Sequence, residues 1–159
     1  MRRDDSLEEV LRYAYRLLSY RGRSEKELSE RLRMKGFDED SINRAISGLR
    51  SDGYLDDRRL ALSIRRYAEE SKYLSLPATK MLLRERGIPP ALIDETLAGF
   101  DEPEVAKRLV ERRLRRMKSG DNAAIRRLEG MLLRRGFLRG TIQEVIKSFH
   151  LKGGRDEED

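Results

Sequence analysis

The chain contains no cysteine, so neither a disulfide framework nor a thiolate-ligated metal centre can organise it. Such a sequence suits a reducing cytoplasm. Histidine occurs once, at position 150, which removes any catalytic or metal-binding design built on paired imidazoles. No run of about 18 apolar residues is present, so no membrane-spanning helix is expected. The opening Met1-Arg2-Arg3-Asp4-Asp5 leads straight into a helical pattern instead of a signal-peptide apolar stretch. We therefore expect a soluble, cytoplasmic protein without a membrane partner. Neither a Gly-x-x-x-x-Gly-Lys loop nor a Gly-x-Gly-x-x-Gly fingerprint occurs, so the usual anion cradle of a nucleotide site is missing. No catalytic residue, cofactor or metal is expected, and the chain reads as a protein that is not an enzyme.

What is present is charge and repetition. Apolar residues make up 38% of the 159 positions and charged ones 40%, which favours an elongated helical protein over a globule. The net charge of +6 is unevenly spread. Residues 1–53 carry 12 basic and 11 acidic side chains and residues 54–100 carry 8 and 7, whereas residues 101–150 carry 13 and 7. The third portion therefore holds the positive field, which favours an anionic partner, either nucleic acid or an acidic protein groove. Solvated helix faces with ion pairs at i and i+4 are the plainer explanation for the first two portions.

Three segments share one punctuation. Gly36, Gly87 and Gly136 align, each followed by Phe37, Ile88 or Phe137. Leu32, Leu83 and Leu132 precede them by four positions, and Ile42, Ile93 and Ile142 follow by six. Ile46, Leu97 and Ile146, then Leu49, Phe100 and Phe149, complete the pattern. Repetition at about 50 residues implies stacked helical modules, each near the lower size limit for an independent core. The boundaries fall at 1–53, 54–100 and 101–150, followed by a tail at 151–159 that has no apolar anchor and is expected to be disordered.

Local signals place three helices in each module. Ser6-Leu7-Glu8-Glu9 and Ser24-Glu25-Lys26-Glu27 are capping boxes. The stripe Leu7, Val10, Leu11, Ala14, Leu17 and Leu18 follows the first of them. Gly36 is the expected left-handed C-cap of the second helix, and Asp38 caps the third. A helix from about Asp57 to Lys72 opens the second module, stopped by Tyr73-Leu74-Ser75, and Pro77 and Pro89-Pro90 mark the starts of the next two. Asp101-Glu102-Pro103 opens the third module, whose first helix carries Val105, Ala106, Leu109, Val110, Leu114 and Met117. Ser119-Gly120-Asp121-Asn122 reads as a loop. No segment reads as a strand, so the class is all-α, with three tandem three-helix, helix-turn-helix-like modules.

The string Arg23-Ser24-x-x-Glu27-Leu28, then Leu32, Lys35-Gly36-Phe37, Ile42, Leu49 and Gly53-Tyr54-Leu55-Asp56-Asp57-x-x-x-Ala61 resembles the RecX family. The resemblance covers about residues 10–149 and includes Arg135-Gly136-Phe137 in the last module. It implies a crescent-shaped modular protein, a monomer, that lies in the groove of the RecA filament on single-stranded DNA. There such a protein limits filament growth and dampens ATP hydrolysis, strand exchange and repressor self-cleavage. Weak binding to single- or double-stranded DNA is also implied. This chain departs from the family pattern at Leu60, where an aromatic is usual, and at Tyr73-Leu74-Ser75-Leu76-Pro77, where a glycine-containing basic stretch is usual. The second departure shifts the expected contacts of the middle module to Lys72, Lys80 and Arg84.

The other candidate contact residues are cationic. Arg108, Arg112, Arg115 and Arg116 can share one helix face, with Arg113 nearer the apolar stripe. Arg126, Arg127, Arg134 and Arg135 form a second patch, and Arg21, Arg23 and Lys35 a smaller one in the first module. Guanidinium suits phosphate and carboxylate alike, because it donates two parallel hydrogen bonds. Asp56-Asp57 can in principle hold a metal ion, but at a helix start the two carboxylates are expected to cap. Tyr20 and Tyr67 are assigned to core packing, while Tyr13 and Tyr15 stay open as base-stacking surfaces. The alternative function is a helix-turn-helix DNA binder acting without RecA, for which the third helices offer only Asn43, Arg44 and Arg50 as base readers.

Overall fold

The computed structural model describes residues 6–117 and 122–153, with the side chains of 151–153 excepted. The expected loop at Ser119–Asp121 and most of the expected tail lie outside the described residues. Among the described residues nine α-helices run in order: α1 (Leu7–Tyr20), α2 (Glu25–Lys35), α3 (Glu39–Ser51), α4 (Asp57–Tyr67), α5 (Leu76–Glu85), α6 (Pro90–Leu97), α7 (Glu102–Leu114), α8 (Asn122–Arg134) and α9 (Arg139–Gly153). Among the described residues there is no strand. The class is all-α.

By its internal contacts the chain forms two compact units. One comprises residues up to Ile64 together with Leu83–Thr96, and the other comprises Arg65–Leu82 and the residues from Leu97 onward. In the first unit, Val10 and Ala14 of α1, Leu28 and Leu32 of α2 and Ile42, Ala45, Ile46 and Leu49 of α3 close on Leu55. The apolar repeat thus becomes a core, in which each buried leucine or isoleucine contributes roughly 1.5–3 kcal/mol. The second unit gathers Val105, Ala106, Leu109 and Val110 of α7, Leu128 and Leu132 of α8, Phe137, and Ile142 and Val145 of α9.

The caps of α2 and α3 form as the local sequence dictates, whereas at α1 only the Ser6 half of the expected box is made, by the Glu9 amide. Ser24 and Glu27 satisfy each other's backbone amides at 3.1 and 3.2 Å, Asp38 receives the Ser41 amide, and Gly36 ends α2 at φ 100°. The helix expected over 57–72 is regular only to Tyr67. Ala68–Lys72 widens into a π turn, and the Leu74 amide reaches back to the Ala68 carbonyl at 2.9 Å. Tyr73 closes that turn at φ 51°, the only positive-φ non-glycine residue among those described. The family pattern's glycine-containing stretch falls in this loop; here a tyrosine holds the left-handed conformation.

Each unit contains one joint between successive repeats, and the two joints are built alike. In the first unit, the α2 start meets the α5 end: the Arg86 guanidinium donates to Glu27 at 3.1 Å and to the Gly22 carbonyl at 2.9 Å. Asp57 accepts the Glu25 amide at 3.0 Å. In the second, the α5 start meets the α8 end: Arg135 donates to the Lys72 carbonyl and the Ser75 hydroxyl donates to the Arg135 carbonyl. Glu102 accepts the Leu76 amide at 2.8 Å. Both N-cap serines, Ser24 and Ser75, are fully buried. The rule is the same each time: a helix start of one repeat is held by an acid, an arginine and a turn glycine of the next.

Asp57 therefore does not cap its own helix as expected. Asp56 already receives the Arg59 amide of α4 at 3.0 Å, which leaves Asp57 to face α2. Burial pushes the Asp57 carboxyl above its ordinary value of 3.8, opposed by the Glu25 amide. A group with a raised folded pKa contributes stability below its unfolded value that is lost as pH rises through the folded value. Asp57→Asn keeps an acceptor oxygen but does not titrate. Its thermal midpoint relative to the parent is expected to rise across the window that opens above pH 3.8. Asp57→Ala instead strands the Glu25 amide at a cost of about 1–2 kcal/mol. Parallel melts at several pH values read both effects, and identical pH profiles for the parent and Asp57→Asn would contradict them.

Candidate partner-binding surface

The second unit assembles six of the fourteen predicted cations in two hollows that share one aromatic ring. α7 ends at Leu114, and the turn that follows keeps Arg115 and Arg116 beside Arg112. The helix C-terminus favours such a concentration of positive charge, since its last carbonyls carry the negative end of the dipole. Tyr73, held upright by the π turn, faces this end of α7, and the Arg112 guanidinium stands 5.6 Å from its ring centroid. A hollow of about 320 Å³ is walled by Ser71, Lys72, Tyr73, Leu74, Leu109, Arg112, Arg113, Arg116 and Arg135. A neighbouring one of about 440 Å³ is walled by Tyr73, Arg108, Glu111, Arg112, Arg115 and Arg116. Glu111 is the single acid among these linings.

The four arginines read as one face of α7 do converge here, and Arg113, placed nearer the core by its spacing, is exposed and joins them. Arg135 is drawn in from the end of α8, and Lys72 comes with the π turn. Arg126, Arg127 and Arg134 occupy exposed positions of α8 outside both linings, and Arg126 turns back on the Asn122 carbonyl. Lys80 and Arg84 stand one turn apart on exposed positions of α5. The signal that sequence reading missed is Tyr73 itself. Its partner Arg112 is 39 positions away, and the left-handed backbone at 73 turns the chain where the ring meets it.

The first unit divides its three candidate cations. Arg21 pairs with Glu27 at 2.7 Å, and Arg23 turns its Nε towards the Leu17 carbonyl. Burial opposes ionisation of Glu27, but the Ser24 amide and the guanidinium groups of Arg21 and Arg86 outweigh it and hold the carboxyl below its ordinary value. These arginines thus serve the joint. Lys35 stands at the opposite end of α2, with its Nζ 5.4 Å from the Tyr13 ring centroid. Arg16 lies over the same ring at 5.7 Å. Glu9, Arg12, Tyr13, Arg16, Lys35, Gly36 and Phe37 wall a hollow of about 540 Å³ there.

Two tyrosines depart from expectation. Tyr20 is 75% exposed and Tyr67 46%. Tyr20 is the last residue of α1, and the extended Arg21 carries the chain away from the core before its ring can pack. Tyr67 flanks the buried line Ala61, Ile64 and Ala68, with the Lys72 ammonium 5.8 Å from its ring centroid. Tyr13 packs partly against Phe37, and Tyr15 meets Tyr54 edge-on at 5.1 Å. Of the possible base readers, Arg50 is held bidentately by Glu25 at 2.5 and 2.8 Å, whereas Asn43 and Arg44 are exposed.

Among the described residues, no helix is long and apolar enough to cross a membrane. Residues 11–49 match the model of the first three-helix domain of RecX, and residues 101–146 match that of the third. Regulatory protein RecX of Chlorobaculum tepidum is 34% identical over 138 residues, covering 87% of this chain and 86% of its own. The protein of the same name from Mycobacterium sp. strain JLS is 34% identical and covers 94% of this chain and 85% of its own. The fold is similar to the crystal structure of RecX from Lactobacillus salivarius, with a TM-score of 0.77, 23% identity, and coverage of 92% of this chain and 98% of the other. With its repeated three-helix punctuation, its all-helical fold and relatives of this extent, the chain belongs to the RecX family of regulatory proteins.

Proposed function

We propose that the chain regulates the RecA recombinase without catalysing a reaction itself. It acts as a cytoplasmic monomer of three modules, 1–53, 54–100 and 101–150, that lies in the filament groove on single-stranded DNA. There it limits filament growth, ATP hydrolysis, strand exchange and repressor cleavage. The observation that carries this reading is the gathering of Lys72, Arg108, Arg112, Arg113, Arg115, Arg116 and Arg135 around Tyr73. Such a surface offers forked donors to carboxylate or phosphate and a ring face for stacking. Weak DNA contact fits the same surface, and affinity that falls steeply with salt is its signature. Linked modules raise the effective concentration of each next contact, so contacts spread over the chain add up to useful affinity.

The test is RecA ATPase activity on single-stranded DNA, titrated with the purified protein. Inhibition near stoichiometric amounts is expected, and no inhibition there overturns the proposal. The double variant Arg112→Glu/Arg116→Glu should need about tenfold more protein for the same effect, the equivalent of losing one or two charge-assisted contacts. Both positions are exposed, so the variant is expected to fold.

A further inference from the structure

The two joints give the chain two worked examples of one recognition event. Each seats a buried helix start against an acid, a base and a turn glycine: Asp57, Arg86 and Gly87 in one, Glu102, Arg135 and Gly136 in the other. The first module carries a third set, at which the described residues place no helix start. Lys35 and Gly36 occupy the positions of Arg86-Gly87 and Arg135-Gly136 in the repeat, and Glu9, from the first turn of α1, faces the same hollow. The glycines record the difference in occupancy. A Cβ added at Gly87 lies 2.7 Å from the Ser24 hydroxyl and one at Gly136 3.5 Å from that of Ser75, but one at Gly36 meets none of the described residues within 4 Å.

We propose that the hollow at Gly36 is a docking site for the first turn of a helix in a partner protein, one that begins with a hydroxyl or carboxylate N-cap and carries an acid at its third helical position. Glu9 accepts an amide of that start, as Asp57 and Glu102 do in the joints. Lys35, whose ammonium rests on Tyr13, swings to the acid and the preceding carbonyl, as Arg86 does with Glu27 and Gly22. Arg12 and Arg16 add to the attraction for an acidic turn. A second copy of this chain offers one accessible start of this kind, α7 with Asp101 as its cap and Glu104 third, and there Pro103 removes one of the amides that a partner's start would present. Its Ser24 and Ser75 starts are buried in their own joints and its α8 has no acid in its first turn. The inference deepens the proposed partner role by stating what the first unit recognises, and its test contains no RecA, so the two can fail separately.

The probe is a stapled helical peptide reproducing residues 22–35, the start that the first joint already accommodates, with the staple near its C-terminal end. It is titrated into the isotopically labelled full chain. Saturable amide shifts centred on Lys35, Gly36, Phe37 and Tyr13 are expected. A peptide with Ser24→Ala and Glu27→Gln should bind about tenfold more weakly, as should the parent peptide to a Lys35→Glu protein. Lys35 is exposed, and an unchanged spectrum away from the hollow confirms that the variant folds. Equal binding of both peptides overturns the proposal. So does a short oligothymidine moving the same amides while the peptide does not, or dilution of the protein alone moving them, which would assign the hollow to a second copy.

Discussion

Glu102→Ala is expected to lower the unfolding free energy by about 3–5 kcal/mol. Glu102 is 3% exposed, and its carboxylate receives three donors from two helix starts. The Leu76 amide at 2.8 Å opens α5; the Leu138 amide at 3.2 Å and the Thr141 hydroxyl at 2.5 Å open α9. Alanine supplies no acceptor; the Thr141 hydroxyl is stranded in a buried place and the Leu76 and Leu138 amides in part-buried ones, at about 1–3 kcal/mol for a buried donor and less where water reaches it. Glu102→Gln retains one oxygen, which can serve two of the donors, but turns an NH2 towards the third, so an intermediate loss of about 1–2 kcal/mol is expected. Far-ultraviolet circular dichroism during urea unfolding measures both, since the chain has no tryptophan to report by fluorescence. A Glu102→Ala midpoint matching the parent would mean that the two helix starts do not depend on this carboxylate.

Two substitutions of identical chemistry should differ severalfold in cost. Gly36 and Gly87 occupy the same place in the repeat, both at positive φ, 100° and 76°. An alanine at either pays for a left-handed backbone, about 1–2 kcal/mol. At Gly36 that is the whole cost, because the added methyl points into open space. At Gly87 the methyl would lie 2.7 Å from the Ser24 hydroxyl, closer than a Cβ approaches such an atom, and 3.0 Å from the Lys26 Cβ, a contact that must give by a few tenths of an ångström. Relieving that contact means displacing a cap that is fully buried, and overpacking of this kind adds about 1–3 kcal/mol. Gly87→Ala should therefore cost about 2–5 kcal/mol against 1–2 for Gly36→Ala. Equal losses in paired urea curves would show that the α2 start is not seated on this turn.

What the sequence made legible was local. The recurrence of Gly36, Gly87 and Gly136 with flanking apolar residues disclosed helix ends and cores because a left-handed cap and a buried leucine each leave a mark within one or two turns. Ser24-x-x-Glu27 was readable for the same reason. The joints were not. Arg86 finds Gly22 across 64 positions and Glu102 finds Thr141 across 39, and in sequence such residues cannot be told from the solvated charges that dominate this chain. Arg21 and Arg23 illustrate the cost: grouped with Lys35 by their nearness to one short helix, they lie at its other end and serve structure. The arginine face of α7 was legible from its spacing, whereas Tyr73 was not, since its placement depends on a π turn that no local pattern announced.

The way the two units interlock along the chain bears on how the protein emerges during synthesis. The α2 start is complete only when Asp57 and Arg86 arrive, and the first unit takes its last residues from Leu83–Thr96. Between its two portions runs Arg65–Leu82, which belongs to the other unit. The ribosome must therefore release the opening segment of the second unit before the first can close. The first unit has all its residues once Thr96 emerges, so it can close while the nascent chain still carries that segment of the second unit unfinished, until α7 to α9 follow.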